Sequence, residues 1–175
     1  MTVEALRRGR PEVLADLLAE YGREIQGVAY LILRDRAAAE DVLIDTLITA
    51  LDRGSQLRDP AALRAWLLRI ATNHALGWRR KGARVVYLHV LPDIQARSAW
   101  PDQADRTALW ESVSALPPRM RAVVVLRYYA DLPVEGVAAA MGISPNTVKT
   151  QLKSALQHLR EAMADPDLAG EVSHA

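Results

Sequence analysis

Residues 131–163 have the sequence DLPVEGVAAAMGISPNTVKTQLKSALQHLREAM, and this stretch decides the prediction of the fold. Pro133 stands where a short helix should begin, because its fixed φ suits a first helical turn. Gly142 should end that helix, because glycine adopts the left-handed conformation without a Cβ clash. Ser144 and Pro145 supply an N-cap and a first residue for a second helix. The stretch therefore predicts two helices joined by a tight turn.

The second helix has two chemically different faces when it is wound at about 100° per residue. The apolar face consists of Val148, Leu152, Ala155, Leu156 and Leu159. The opposite face is polar, with cations as its only charges, and consists of Asn146, Lys149, Thr150, Lys153, Ser154 and Gln157. Such a face suits the major groove of DNA, where Lys and Asn contact base edges and Ser or Thr contact phosphates. The alternative is a solvated face, but the Gly-Ile-Ser-Pro turn favours a DNA-binding helix-turn-helix.

Composition limits the classes to which this chain of 175 residues can belong. Its length allows one or two domains, and the dominance of Leu, Ala and Val favours helices. The absence of Cys excludes disulfides and thiolate metal sites and makes a cytoplasmic location the expectation. No apolar run approaches the roughly 18 residues of a membrane span, so membrane insertion is not expected. The net charge of +1 is low for a protein that clamps DNA nonspecifically.

The first part of the chain is predicted to begin with two helical segments. Apolar residues at helical spacing predict the first from Pro11 to Leu33, kinked or divided into two abutting helices near Gly22. Asp35 should cap the second, which extends to about Asp52. Between residues 37 and 52 this second segment has acids but no base. The acids are Glu40, Asp41, Asp45 and Asp52. An acidic face is usually just solvated, but it can also dock a basic partner.

A basic segment follows the loop at residues 53–59. Asp59-Pro60 should start its helix and Gly82 should end it. No acid occurs from residue 61 to residue 92. The bases are Arg64, Arg69, Arg79, Arg80, Lys81 and Arg84, with Trp66, Asn73, His74 and Trp78 between them. Bases interleaved with aromatics suit single-stranded nucleic acid, although core packing is the favoured interpretation of Trp66. His74 has no second ligand at metal-binding spacing, so a packed or solvated histidine is expected.

The overall prediction is an all-α protein of two small helical domains. They should span residues 1–84 and 107–163, with a flexible linker at 85–106 and a mobile tail at 164–175. The second domain should contain four short helices, including an apolar helix after Pro117-Pro118 that packs against the helix-turn-helix. The apolar residues of that helix are Met120, Val123, Val124, Leu126 and Tyr129.

Three stretches together resemble an extracytoplasmic-function (group IV) sigma factor. They are AAAEDVLIDTLITAL at 37–51, LRAWLLRIATNHAL at 63–76, and SALPPRMRAVVVLRYYADLPVEGVAAAMGISPNTVKTQLKSALQHLRE at 114–161. The resemblance implies a factor that joins bacterial RNA polymerase core and directs it to promoters. In that family the first domain binds the β′ coiled coil, opens the minus-ten element and holds a flipped base at the loop before its third helix. The second domain contacts the minus-thirty-five element and the β flap.

The resemblance assigns expected roles to particular residues. Core polymerase should be bound by Glu40, Asp41 and Asp45. The minus-ten element should be contacted by Arg64, Arg69, Asn73, Arg79 and Arg80. The minus-thirty-five element should be contacted by Ser144, Asn146, Thr147, Lys149, Thr150, Lys153 and Ser154. No cofactor or metal is implied, and an anti-sigma factor is a further candidate partner. Ile44-Asp45 departs from the Gln-Glu typical of the family, and the loop at 53–59 lacks aromatic residues.

Two other classes of protein are alternatives to a sigma factor. A helix-turn-helix regulator that acts without core polymerase explains residues 131–163 equally well. It leaves the change from acidic to basic segments in the first 84 residues without a role. An enzyme is not expected, because the sequence has no nucleophile-base set, phosphate-binding glycine loop or metal-ligand spacing.

Overall fold

The computed structural model describes residues 3–78 and 108–164, in which all regular elements are helices. The helices are α1 (Val3–Arg7), α2 (Val13–Leu33), α3 (Arg36–Arg53), α4 (Leu63–Trp78), α5 (Ala108–Ala115), α6 (Pro118–Val124), α7 (Val134–Met141) and α8 (Pro145–Ala164). Single 3-10 turns at Gly54–Gln56 and Pro60–Ala62 connect α3 to α4, and a π-helical turn at Val125–Tyr129 extends α6. The all-α prediction is confirmed. The predicted linker lies outside the described residues, as does the tail after Ala164.

The first compact unit is built from α1 to α4, with α2, α3 and α4 packed on one another. Its largest fully buried side chains are Leu6, Leu17, Ile25, Val28, Val42, Leu47, Leu67 and Leu68. Burial of each such side chain contributes about 1.5–3 kcal/mol to folding. This core holds α3 and α4 in place, so their outer faces have fixed positions.

Helix α2 is a single helix of 21 residues, so the predicted division near Gly22 is wrong. Gly22 is buried inside the helix, and a Cβ there would lie 2.8 Å from Leu18 Cδ1. The glycine therefore allows close packing of the Leu18 side chain. The helix tolerates the lower propensity of glycine because its apolar face is buried along most of its length.

The predicted helix starts at Asp35 and Asp59 are confirmed. Asp35 accepts a hydrogen bond from the backbone N–H of Ala38 at 3.0 Å, and α3 begins at the next residue. Asp59 accepts one from Ala61 N–H at 2.9 Å, with Pro60 in the first position of the short turn that leads into α4. Each cap satisfies one N–H that the helix itself leaves unpaired.

The second compact unit is built from α5 to α8, with α5, α6 and α7 all packed against α8. One buried cluster in it consists of Val113, Leu116, Val124, Ala155 and Leu159, with Met120 and Leu152 packed against it. The unit has the predicted four helices, but α8 has 20 residues and is not short. Its length lets one helix close the core and also present an outer face.

Tyr129 does not bury with the rest of its helix, contrary to the prediction. The turn at Val125–Tyr129 is π-helical, and Ala130 N–H donates to the carbonyl of Val125, five residues earlier, at 3.0 Å. The wider turn shifts the residues after it away from the 3.6-residue period that placed Tyr129 in the core. Tyr129 is 37% exposed and Tyr128 is 59% exposed.

A single arginine closes the end of α5. The guanidinium of Arg121, on α6, donates to the carbonyl of Leu116 at 3.0 Å and also to the carbonyl of Ser114. Pro117 and Pro118 follow one residue after the end of α5 and have no N–H with which to satisfy its last carbonyls. Arg121 supplies those donors from the next helix.

Candidate nucleic-acid and protein interfaces

The turn between α7 and α8 has the predicted geometry. Gly142 has a left-handed φ of 64°, and Ile143 N–H donates to Ala138 O at 3.1 Å. The Ser144 hydroxyl accepts from Thr147 N–H at 3.0 Å and lies 2.8 Å from the Thr147 hydroxyl. Val148 is fully buried one turn into α8. The cap and this buried anchor fix the first two turns of α8, which present the candidate DNA contacts.

The outer face of α8 is exposed as predicted, with one exception. Its exposed members are Asn146, Thr147, Lys149, Thr150, Lys153 and Gln157. Ser154, by contrast, is half-buried, and Leu156, predicted on the apolar face, is 37% exposed. Both residues lie near the boundary between the two faces, where small differences in packing decide exposure.

Two cations dominate this outer face. Lys149 and Lys153 lie four residues apart, and within the described residues neither has an ion-pair partner. Thr150 differs, because its hydroxyl already donates to the backbone carbonyl of Asn146 at 3.0 Å. The two lysines thus have donors available for an external anion such as a DNA phosphate or a base acceptor.

The acidic face of α3 lies on the first unit. Glu40 and Asp41 are exposed and Asp45 is half-buried. Within the described residues none of the three forms an ion pair. Partial loss of water raises the pKa of the Asp41 carboxyl above its ordinary value, and the nearby charges of Asp45 and Asp35 raise it further. The face therefore has negative charge that the described part of the chain does not neutralise.

The predicted minus-ten residues on α4 differ in their surroundings. Arg69 and Asn73 are exposed and lie four residues apart on one face. Arg64 instead forms a two-point pair with Glu24 of α2, with its Nε donating to Oε2 at 3.0 Å and a terminal nitrogen bonded to Oε1. That pair ties α4 to α2, so Arg64 has a structural role. Arg79 and Arg80 lie outside the described residues.

Trp66 and His74 are placed largely as expected. Trp66 is half-buried, which agrees in part with its predicted place in the core. His74 Nε2 lies 2.9 Å from the hydroxyl of Thr49 on α3, so this histidine is packed between helices. Residues 3–78 and 108–164 bring together no group of three or more His, Cys, Asp or Glu side chains suited to a metal ion.

Two features of the surface were missed by the sequence analysis. Helix α1 packs against the loop at residues 54–59; the signals were Val3 and Leu6 at helical spacing and the oppositely charged Glu4 and Arg8 four residues apart. The second is the exposed Tyr128, whose ring has the guanidinium of Arg127 at 5.7 Å from its centre. Tyr128 lies within the π-helical turn, where the 3.6-residue period does not predict which side chains are exposed.

Within the same described ranges, no helix has both the length and the apolar character needed to cross a membrane.

Comparisons with known proteins assign one family region to each of the two units. Residues 17–85 match the family described as Sigma-70 region 2, and residues 106–159 match Sigma-70 region 4. The RNA polymerase sigma-E factor of Streptomyces antibioticus is 33% identical over 138 residues, which cover 78% of this chain and 77% of that protein.

Two solved structures have the same fold. One is the sigma factor RpoE in complex with the anti-sigma factor NepR from Bartonella quintana, with a TM-score of 0.65 at 20% identity. It covers 86% of this chain and 95% of its own. The other is CnrH in complex with the cytosolic domain of CnrY, with a TM-score of 0.67 at 22% identity. It covers 93% of this chain and 94% of its own.

The chain belongs to the extracytoplasmic-function, or group IV, sigma factors of the sigma-70 family. Sigma factors are non-enzymatic initiation factors that bind RNA polymerase, and this one directs promoter-specific transcription initiation. The resemblance inferred from residues 37–51, 63–76 and 114–161 is thereby confirmed.

Proposed function

We propose that the two compact units divide the work of initiation between a protein-binding face and DNA-binding faces. Glu40, Asp41 and Asp45 bind the β′ coiled coil of core polymerase. Arg69 and Asn73 on α4 contact the minus-ten element, together with Arg79 and Arg80 beyond α4, while Arg64 positions α4 through Glu24. The second unit contacts the minus-thirty-five element and the β flap. The chain acts in the cytoplasm as a binding factor, since no step of this role requires it to catalyse a reaction.

One observation carries the proposal most directly. No ion pair within the described residues involves Glu40, Asp41 or Asp45 on the acidic face of α3, or Lys149 or Lys153 on the outer face of α8. Opposite potentials suit two different partners, because complementary charge speeds encounter and disfavours the wrong partner. The acidic face suits a basic protein surface, and the basic face suits DNA.

The minus-thirty-five assignment follows from the outer face of α8. Lys153 and Thr150 lie toward base edges in the proposed complex, and Lys149 contacts a phosphate. The remaining contacts come from Ser144, Asn146, Thr147 and Ser154. Ser144 and Ser154 are the weakest members of the set, because the first hydroxyl caps α8 and the second is half-buried.

An anti-sigma factor is proposed as a regulatory partner. In one solved structure with this fold, the sigma factor RpoE is bound to the anti-sigma factor NepR, and in another CnrH is bound to the cytosolic domain of CnrY. An inhibitor that covers the acidic face of α3 would compete directly with core polymerase.

Reconstituted transcription tests the proposal. Core polymerase, the purified chain and a library of promoter fragments should yield transcripts from a defined subset of promoters, and core alone should yield none. The competing class, a regulator that acts without core, predicts tight sequence-specific DNA binding by the chain alone and no transcription from core plus the chain.

A further inference from the structure

The N-terminal helix α1 makes an unusually close contact with the loop at residues 54–59. Leu6 is fully buried there, and Leu57 of the loop is 3% exposed. A Cβ at Gly54 would lie 2.2 Å from the backbone oxygen of Leu6, so only glycine allows this approach. Gly54 has an ordinary φ of −55°, so the contact with α1, and not the backbone conformation, requires glycine.

One side chain of α1 bonds directly to the backbone of this loop. Arg7 Nε donates to the carbonyl of Leu57 at 2.9 Å, and a terminal nitrogen of Arg7 donates to the carbonyl of Arg58 at 2.5 Å. A guanidinium has several donors in a fixed plane, so it can hold two successive carbonyls at once. The loop is thereby fixed by a residue about 50 positions away in the sequence.

We propose that α1 is a brace that preforms the loop for the melted DNA strand, with Arg7 as its positioning residue. The inference rests on the proposed function and on the role that the family resemblance implies for the loop before α4, which is to hold a flipped minus-ten base. Ser55, Gln56 and Arg58 of the loop remain exposed and can meet the strand. A loop fixed before binding captures its ligand at lower cost, because it has less freedom to lose.

Arg7 and Arg8 form a matched pair for testing this inference. They are adjacent and have the same charge. Within the part of the chain that the structure describes, however, Arg8 pairs only with Glu4 of α1, at 3.1 Å, and its side chain is 62% exposed. Arg8→Ala therefore removes the same charge without touching the loop. Arg7→Lys keeps the charge but cannot hold both carbonyls in the same planar geometry.

Hydrogen exchange on the free, full-length protein measures the brace without DNA or polymerase. Arg7→Ala, Arg7→Lys and Gly54→Ala should each speed exchange of the amides at residues 54–62 by about 10-fold. Arg8→Ala should leave those rates unchanged. The double variant Arg7→Ala/Gly54→Ala should add little to either single change, because both disrupt the same contact. Unchanged exchange in Arg7→Ala would overturn the brace.

Promoter opening with core polymerase measures what the brace does. Arg7→Ala and Arg7→Lys should reduce opening at the minus-ten element of a duplex promoter by about 10-fold, scored by permanganate reactivity of unpaired thymines. A promoter with a premelted minus-ten element should restore transcription. Unchanged binding to core would show that the first unit remains folded, and Arg8→Ala should match the wild type in every assay.

The remaining outcomes separate the contact between α1 and the loop from its role in promoter opening. Faster loop exchange with normal promoter opening would overturn the positioning role. Normal opening in Arg7→Lys with a defect in Arg7→Ala would do so too, because charge alone would then suffice. A wild-type chain that cannot initiate with core would overturn the proposed function and this role together, while hydrogen exchange would still report the contact itself.

Discussion

Helices α3 and α8 are built alike and differ in what their outer faces carry. Each buries one side in the core of its own unit and has a pair of like charges on its outer face. On α3 the charged pair is Asp41 and Asp45; on α8 it is Lys149 and Lys153. Both pairs are four residues apart, a spacing at which like charges repel.

The difference lies in how much water surrounds each pair. Asp45 is half-buried and the pKa of Asp41 is raised by partial burial, whereas Lys149 and Lys153 are exposed. Repulsion is weakly screened where water is displaced and strongly screened where it is not. The acidic pair is thus suited to a protein surface that supplies cations and completes its burial. The basic pair is suited to phosphates, which stay largely hydrated.

The largest expected effect comes from reversing the charge of the acidic face of α3. Asp41→Lys/Asp45→Lys should weaken binding to core polymerase by at least about 1,000-fold, since buried interfacial charge pairs contribute several kcal/mol. Fluorescence titration of labelled chain with core gives the affinity, and circular dichroism should show unchanged helicity.

The matched control for that experiment reverses two exposed acids elsewhere. Glu12→Lys/Glu111→Lys makes the same change in net charge but leaves the acidic face of α3 intact. This variant should therefore bind core almost normally. Loss of binding in both double variants would mean that net charge matters and the position of the acids does not.

The next effect concerns the basic faces acting together. The free chain should bind a promoter duplex weakly and with strong salt dependence, because neither basic face alone offers many phosphate contacts. Core polymerase should strengthen binding by about 100-fold or more by holding both units on one DNA molecule. Gel-shift titrations with and without core measure the ratio. A ratio near one would contradict the expectation that core polymerase makes two weak DNA-binding faces act together.

A smaller effect distinguishes the two lysines of α8. Lys153→Ala should cost about 1–3 kcal/mol at the preferred minus-thirty-five sequence and flatten the preference among sequences. Lys149→Ala should weaken all promoters by a similar factor and lower the slope of log affinity against log salt by about 1. Transcription from promoters that differ at single minus-thirty-five bases separates these patterns. Identical behaviour of the two variants would contradict the assignment.

The smallest effect concerns stability. Because the pKa of Asp41 is raised in the folded state, its ionised form destabilises the fold at neutral pH. Asp41→Asn should therefore stabilise the protein at pH 7 by about a few tenths of a kcal/mol, allowing for solvent screening. The gain should vanish as pH falls below the ordinary carboxyl range of about 3.9. Thermal unfolding across pH measures it.

The same measurement in a protein that carries Asp45→Asn tests the cause of the raised pKa of Asp41. Without the charge of Asp45, the gain from Asp41→Asn should shrink, because one cause of the raised pKa is gone. The same Asp41→Asn change should weaken core binding. A variant that is both less stable at pH 7 and normal in core binding would contradict the account of this face.

The sequence was sufficient for those parts of the fold that depend on local patterns. Caps at Asp35, Asp59 and Ser144, the glycine at 142 and the 3.6-residue period of α8 are all encoded within a few residues. The candidate faces on α3 and α8 follow from the same periodicity. Their assigned contacts with polymerase and promoter stay predictions.

What the sequence analysis missed depends on contacts between distant residues. A kink or a division into two helices was expected near Gly22, but α2 is one continuous helix whose apolar face is buried along most of its length. The pairing of Arg64 with Glu24 joins residues 40 positions apart, and the hold of Arg7 on residues 57 and 58 spans about 50. No periodicity reveals such pairs. The π-helical turn that exposes Tyr129 is likewise set by packing and not by local propensity.

The hydrogen bonds between Arg121 and the end of α5 affect how the second unit folds while the chain is being synthesised. A ribosome releases the chain from its N-terminus, so α5 emerges before the arginine that completes its last turn. Until residue 121 is free, the carbonyls of Ser114 and Leu116 can be satisfied only by water. A helix of eight residues is too short to persist alone, so α5 should form only as α6 forms beside it. The fold of α5 therefore depends on residues that leave the ribosome later, first Arg121 and then Ala155 and Leu159 of α8, which complete its buried cluster.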